Sequence, residues 1–107
     1  MISVELDAEA EEEIARAAEW YEERGHVGLG ERFVETVSAA FDAICERPES
    51  FATLLTERGV VVRRHVVRDF PYQVIFALRG EGAERIVRVF AVAHLRREPR
   101  YWLERMP

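Results

Sequence analysis

The residues best suited to chemistry stand together near the end of the chain, after a long apolar run. Cleavage of RNA by its own 2′-hydroxyl needs a base for that proton, cations for the phosphorane and an acid for the leaving oxygen. His94 has the chemistry of a base or an acid, and Arg64 and Arg97 that of a phosphate clamp. Tyr101 could act as an acid or stack on a base. The set near the end of the chain is His94, Arg96, Arg97, Arg100 and Tyr101, and Arg63 and Arg64 from an earlier strand could join it.

Each member of this set also has a structural interpretation. A histidine at a strand end is more often a hydrogen-bonding residue than a catalyst, and Tyr101 and Trp102 can pin a tail to the core. An arginine cluster at a sheet edge usually protects that edge or binds an acidic partner. Spacing alone therefore makes a nuclease the minority interpretation.

The sequence lacks the residue patterns that a metal site, a nucleotide-binding loop or a catalytic lysine requires. The three histidines and the single Cys45 show no zinc-ligand spacing, so no metal is expected. The glycines at positions 25, 28 and 30 follow no strand and precede no Lys-Ser/Thr pair, so no nucleotide loop is predicted. All fifteen basic residues are arginines, which excludes a lysine base or nucleophile. No cofactor is expected.

Length and composition indicate a single folded domain over residues 1–107. The chain is 49% hydrophobic and 33% charged, which is typical of a folded protein. One cysteine excludes an internal disulfide, and no basic-plus-apolar leader or apolar run of about 18 residues is present. We expect a cytoplasmic protein without membrane contact.

The net charge of −5 conceals a strong asymmetry between the two halves of the chain. Residues 1–57 contain four arginines and fifteen acidic residues, a charge of −11. Residues 58–107 contain eleven arginines and five acidic residues, a charge of +6. The basic half is thus suited to an acidic partner, protein or nucleic acid.

The first half of the chain predicts a short strand followed by two helices. Alternation over residues 2–6 indicates the strand, and Asp7 is a good N-cap for a helix that runs to about Arg24. The acidic residues outside the apolar stripe of this helix are expected to be solvated. Trp20 is expected either to pack at the edge of the helix, which is the favoured interpretation, or to mark a partner surface. A second helix runs to about Arg47, and the short loop between the helices predicts an αα-hairpin.

The second half predicts three strands between Val60 and His94, after a connection at residues 48–59. The glycine-bearing residues 80–83 indicate a hairpin turn, and the nearly unbroken apolar run from Ile86 to Ala93 is typical of a central strand. A short tail or helical turn follows, displayed at the end of the sheet. The predicted architecture is α+β, in the order β-α-α-β-β-β, with the helices on one face of a mostly antiparallel sheet.

Two stretches of this half combine several motifs, VRRHVVRDFPYQVIF at residues 62–76 and IVRVFAVAHLRREP at residues 86–99. They resemble the RelE/ParE toxin superfamily, in particular its ParE-type plasmid-stabilisation branch. An arginine-bearing strand, an FPY turn, an aromatic strand and a strand ending in AVAH and RREP occur in the family's order. With the upstream helix that carries Trp20 and Tyr21, the resemblance covers almost the whole chain.

The resemblance implies the toxin of a type II toxin–antitoxin pair. It also implies a ParD-like antitoxin, whose C-terminal segment folds onto the toxin and whose N-terminal part binds DNA. DNA contact would then be indirect, through the antitoxin.

Two activities divide the superfamily: RelE-like members cleave mRNA on the ribosome, whereas ParE-like members inhibit DNA gyrase. Under the RelE-like alternative, Arg64, His94, Arg97 and Tyr101 would be catalytic. The acidic net charge and the absence of lysine fit a ribosome-directed nuclease poorly, because affinity for RNA depends on basic residues that neutralise phosphates. The ParE-like hypothesis is therefore favoured. A third alternative is a non-toxic module that only binds antitoxin. The expected target-binding residues are Arg63, Arg64, His94, Arg96, Arg97, Arg100, Tyr101 and Trp102.

Overall fold

Two helices and five strands follow one another along residues 2–107, the part of the chain that the computed structural model describes. The sheet has the strand order β1-β5-β4-β3-β2. β1 runs parallel to β5, and every other neighbouring pair is antiparallel. The elements are β1 (Ser3–Leu6), α1 (Ala8–Arg24), α2 (Leu29–Glu46), β2 (Thr53–Glu57), β3 (Val60–Val66), β4 (Tyr72–Arg79) and β5 (Ile86–His94).

The predicted α+β architecture and element order are confirmed, with one strand added. Where the sequence predicts only a connection, β2 pairs with β3 through the two-residue turn Arg58-Gly59. Both turn residues have positive φ, 53° and 79°, as in the hairpin turns that match strand twist. β2 lies at the sheet edge and is largely exposed, so it lacks the apolar alternation that identifies a strand.

Asp7 caps the start of α1 by accepting a hydrogen bond from the Glu9 N–H at 2.9 Å.

The helix hairpin is held closed by a second carboxylate, that of Glu22 in α1, which binds the start of α2. The Glu22 carboxylate accepts from the N–H groups of Gly28 and Gly30 at 3.1 and 3.0 Å, which satisfies donors that the helix start leaves unpaired. These backbone hydrogen bonds hold the pKa of Glu22 below its ordinary value.

Gly30 lies where the backbones of the two helices approach each other closely. A Cβ atom at this position would lie 2.4 Å from the Ala18 carbonyl oxygen of α1. Helix propensity alone predicts that Gly30→Ala stabilises the protein by about 1 kcal/mol. The close approach predicts the reverse, a loss of about 1–3 kcal/mol from overpacking. Urea denaturation decides between them, and any gain in stability for Gly30→Ala would contradict this packing.

The sheet is covered on both faces. On the helix face, α2 residues such as Phe33, Val37 and Ile44 pack against Val74 and Phe76 of β4. The opposite face carries a second apolar cluster, and its cover is the C-terminal tail. Members of this second cluster are Val62, Ile75, Ala77, Phe90, Ala91, Ala93, Trp102 and Met106.

The sequence suggested that the tail is displayed at the end of the sheet. The structure shows instead that the tail covers one face of the sheet. Trp102 is only 3% exposed and stacks on Phe90 at a ring distance of 6.2 Å, and Met106 is buried beside it. The predicted helical turn is present as a 3-10 turn at Leu103–Arg105. The tail folds back because strands whose apolar residues fill both faces require a second cover.

Candidate functional site

The edge of β5 is only partly covered by a neighbouring strand. β1 pairs with Ile86–Val89 and ends there, so no strand of residues 2–107 pairs with this side of Phe90–His94. Two side chains take its place. Glu13 of α1 accepts from the Val92 N–H at 3.0 Å, and Arg105 of the tail donates to the Phe90 carbonyl at 3.0 Å. An ion pair thus satisfies backbone groups that a sixth strand would otherwise bond.

Glu13 is the centre of a buried polar cluster. Its side chain is 4% exposed and that of Arg105 is 8% exposed, and the two form hydrogen bonds of 3.1 and 3.2 Å. Arg97 contributes a longer contact of 3.4 Å. Arg105 Nε also lies 2.9 Å from the Glu9 carboxylate, an ion-pair contact that lacks hydrogen-bond alignment. Burial lowers the pKa of Arg105, but the hydrogen bonds and charge of Glu13 outweigh it and raise that pKa above its ordinary value.

The expectation that the acidic residues of α1 are solvated is wrong for Glu13. It stands three residues after Ala10 and four before Ala17, both buried, so it falls on the buried stripe of the helix. That spacing is the signal that could have identified it. An acidic residue on such a stripe needs a basic partner, and Arg105 is the arginine within the apolar end of the tail.

Tyr101 is fixed in this cluster by its hydroxyl group. The hydroxyl donates to Glu13 Oε2 at 2.5 Å, and the Arg97 guanidinium lies 3.7 Å from the ring centre. Burial, together with the hydrogen bond to Glu13, raises the pKa of Tyr101 well above its ordinary value. The phenol is therefore protonated, and its proton is committed to Glu13. This geometry supports a structural role for Tyr101 rather than acid–base catalysis.

An alkaline titration tests this assignment. Burial raises the pKa of all three tyrosines, Tyr21, Tyr72 and Tyr101. A raised pKa stabilises the folded state below the ordinary value of about 10, and this stability is lost as the pH rises through the folded pKa. Tyrosinate absorbance should hence rise only above about pH 10, with Tyr101 last to ionise. The Tyr101→Phe variant should lack the final step, and a tyrosine titrating below pH 10 that Tyr101→Phe removes would contradict the hydrogen bond.

Arg64 and His94 lie on opposite faces of the sheet. Arg64 pairs with Ile75, which belongs to the tail-covered cluster, and its guanidinium donates to Gln73 at 3.3 Å. His94 packs against Tyr72 on the helix face, with ring centres 5.2 Å apart. Directly paired residues of an antiparallel sheet share a face, so the strands themselves separate the two side chains.

The other predicted residues are distributed in three environments. Arg63 lies on the helix face and donates to the Phe51 carbonyl at 2.8 Å. Trp102 is buried and does not fit a target-binding surface, because the folded chain offers almost none of its ring to a partner. Arg96 and Arg100 are exposed in the turn after β5, and their side chains form no ion pair or hydrogen bond within residues 2–107. The structure thus gathers His94, Arg96, Arg97 and Tyr101 near one end of β5.

A groove of about 550 Å³ lies beside His94, between α1 and the uncovered edge of β5. Val92 is part of its floor. Trp20 lies on one wall and is 51% exposed, so the expected packing at the helix edge is only partial. Its ring contacts Tyr21 edge-on, and the Arg24 guanidinium lies over one face, 5.3 Å from the ring centre. The side chains that give the groove its character are Arg16, Trp20, Tyr21, Tyr72, His94 and Arg97.

Comparison with known protein families and solved structures identifies the family of the chain. The family model described as "ParE toxin of type II toxin-antitoxin system, parDE" matches residues 4–99. The chain belongs to this ParE toxin family. The fold is also similar to that of a solved chain from "Chromosomal ParDE TA system from P. aeruginosa", with a TM-score of 0.67 and 14% identity. That match covers 89% of this chain and 97% of the other. No curated protein matched the chain.

The family resemblance seen in the sequence is thereby confirmed. Within residues 2–107 of this ParE-family toxin, no helix is long and apolar enough to span a membrane. The same residues contain no group of three His, Cys, Asp or Glu arranged to hold a metal ion.

Proposed function

We propose that this ParE-family toxin arrests growth by binding and inhibiting DNA gyrase, and that a ParD-like antitoxin neutralises it. The observation that carries the proposal is the separation of Arg64 and His94 by the sheet. Cleavage of RNA requires the acid–base group and the phosphate-binding arginine to reach the same substrate phosphate. A fold that places them on opposite faces favours a toxin that acts by binding.

Two further features support binding over RNA cleavage. The Tyr101 hydroxyl donates its hydrogen bond to Glu13, and the Arg97 guanidinium contacts the same carboxylate. The chain carries a net charge of −5, whereas affinity for RNA depends largely on neutralising phosphates. The antitoxin is proposed because the family is that of toxin–antitoxin systems, and a segment that folds on binding can cover a large toxin surface.

Exposed arginines after β5 are the proposed target-facing residues. Arg96 and Arg100 make no side-chain hydrogen bond or ion pair within residues 2–107, so they are available for acidic groups of the target. Arg97 and His94 lie beside them. Reversing exposed charges at a binding surface mainly affects association with the partner rather than folding.

Induction of the chain in a bacterial host tests the proposal, with DNA and protein synthesis measured separately. We expect DNA synthesis to fall first, with an induced damage response, and co-expression of the antitoxin to restore growth. Arg64→Ala and His94→Ala should both still arrest growth, whereas Arg96→Glu/Arg100→Glu should not. Early loss of protein synthesis with cut mRNA would contradict the proposal, and so would the absence of any arrest by a folded protein.

A further inference from the structure

The groove beside His94 contains two backbone groups that are placed to pair with another chain. The Leu95 N–H donates to Pro71, and the Tyr72 carbonyl accepts from Val67 on the other side of β4. Hydrogen-bonded and non-bonded pairs alternate along antiparallel strands. Val92 and His94, opposite Val74 and Tyr72, therefore direct their N–H and C=O groups away from β4. These groups face the edge that β1 leaves uncovered.

Two of these four groups are already bonded. The Val92 N–H donates to Glu13 at 3.0 Å, and the His94 carbonyl accepts from the Arg97 N–H at 3.0 Å. The Val92 carbonyl and the His94 N–H remain. A single residue of an added strand can bond both only if that strand runs parallel to β5. An antiparallel strand would need both groups of one residue, and at Val92 and at His94 one is occupied.

The walls of the groove define the side chains that such a strand would carry. Residues on either side of the bridging residue would point to the helix face, as Val92 and His94 do. There the exposed ring of Trp20, with Tyr21 and Tyr72, offers apolar surface. The groove volume of about 550 Å³ is within the usual range for ligand sites.

The charge of the groove opposes that of the rest of the chain. Arg16 and Arg97 line it, and its one carboxylate, Glu13, is neutralised by Arg105. Arg16 has only a distant, exposed contact of 3.8 Å with Glu12, which leaves its charge largely available. In a protein of net charge −5, this combination selects an acidic segment.

We propose that the groove binds an extended acidic segment of a partner protein as a short strand parallel to β5. One residue bridges the Val92 carbonyl and the His94 N–H, and apolar residues beside it contact Trp20. Carboxylates of the segment pair with Arg16 and Arg97. The inference goes beyond the proposed function, because it is drawn from the groove alone and stands whether or not the target is gyrase.

Capped synthetic peptides test this chemistry directly on the whole chain. Each peptide has a central threonine flanked by leucines, and the remaining positions are acidic in one peptide, serine in a second and arginine in a third. In amide-resolved NMR titrations the acidic peptide should bind, shift the His94 resonance and slow its amide exchange. N-methylation of the central threonine should weaken binding about tenfold, because it removes the donor to Val92.

Variants and labels complete the test. Arg16→Glu/Arg97→Glu should weaken binding of the acidic peptide about tenfold or more, and Trp20→Ala should also weaken it. Arg68→Glu is the matched control, since this side chain is 91% exposed and lies outside the groove. A spin label at the peptide N-terminus should broaden resonances near Phe90, and one at the C-terminus those near Arg97.

The outcomes separate cleanly. Selective binding of the acidic peptide with this direction supports the proposal. Equal binding of the serine or arginine peptide, reversed label effects, shifts confined to another surface, or no binding would overturn it. Each of these failures would leave the growth-arrest experiment, and so the proposed function, untouched.

Discussion

Replacing Glu13 with glutamine is expected to lower the free energy of unfolding by about 3 kcal/mol. Glutamine keeps the size of the side chain and an acceptor for the Val92 N–H, but it leaves the buried Arg105 charge without its main partner. Breaking a buried pair costs about 3–5 kcal/mol. The lower value is expected because Glu9 still lies 2.9 Å from Arg105 Nε. Urea denaturation at neutral pH measures the loss.

Glu12→Gln is the control for this experiment. Glu12 is the neighbouring acidic residue on α1, and its side chain is exposed, so its replacement should change stability by no more than about 0.5 kcal/mol. A double variant, Glu13→Leu/Arg105→Leu, should lose less than the sum of the two single losses, because the pair acts as a unit. Equal effects of Glu12→Gln and Glu13→Gln would show that the buried cluster does not stabilise the fold.

Replacing Trp102 with alanine is expected to cost about 3–5 kcal/mol, the range for removal of a large buried aromatic side chain. The ring stacks on Phe90 and closes the sheet face opposite the helices, so its loss uncovers the second apolar cluster. Trp20→Ala is the matched control. Half of the Trp20 side chain is exposed, and its removal should cost less than about 1 kcal/mol.

Urea denaturation of the two tryptophan variants gives a direct comparison. The structure predicts a large loss for Trp102→Ala and a small one for Trp20→Ala. The reverse order would mean that the tail does not cover the sheet. Fluorescence offers a second readout, because in Trp20→Ala the remaining Trp102 emission should be that of a buried indole.

The elements could be predicted because local signals and burial agree along most of the chain. The first helix has an N-cap at Asp7 and stops before Gly25, and its observed end at Arg24 is the predicted one. The strand β2 was not predicted, because an exposed edge strand has no alternation of apolar and polar residues. The tail cover was predicted only as an alternative, in which Tyr101 and Trp102 pin the tail to the core, because two or three apolar residues are too few for a periodic pattern.

The candidate site was less predictable, because spacing along the chain does not reveal which residues meet in space. Arg64 and His94 seemed compatible as a set, but the pairing of β3 with β4 and of β4 with β5 assigns them to opposite faces. In the sequence, Glu13 is one of several acidic residues of the first helix. Its role in the buried cluster depends on Arg105, which lies 92 residues away in sequence. Such long-range partners depend on the closed fold, which the local sequence pattern does not encode.

The most direct test of the account is the supercoiling of relaxed plasmid by purified DNA gyrase in the presence of the purified chain. The account predicts that the wild-type protein blocks supercoiling, that the matched antitoxin relieves the block, and that Arg96→Glu/Arg100→Glu fails to inhibit. Arg64→Ala and His94→Ala should still inhibit, because neither removes a catalytic group. Undiminished supercoiling, together with cleavage of mRNA on ribosomes by the same preparation, would contradict it.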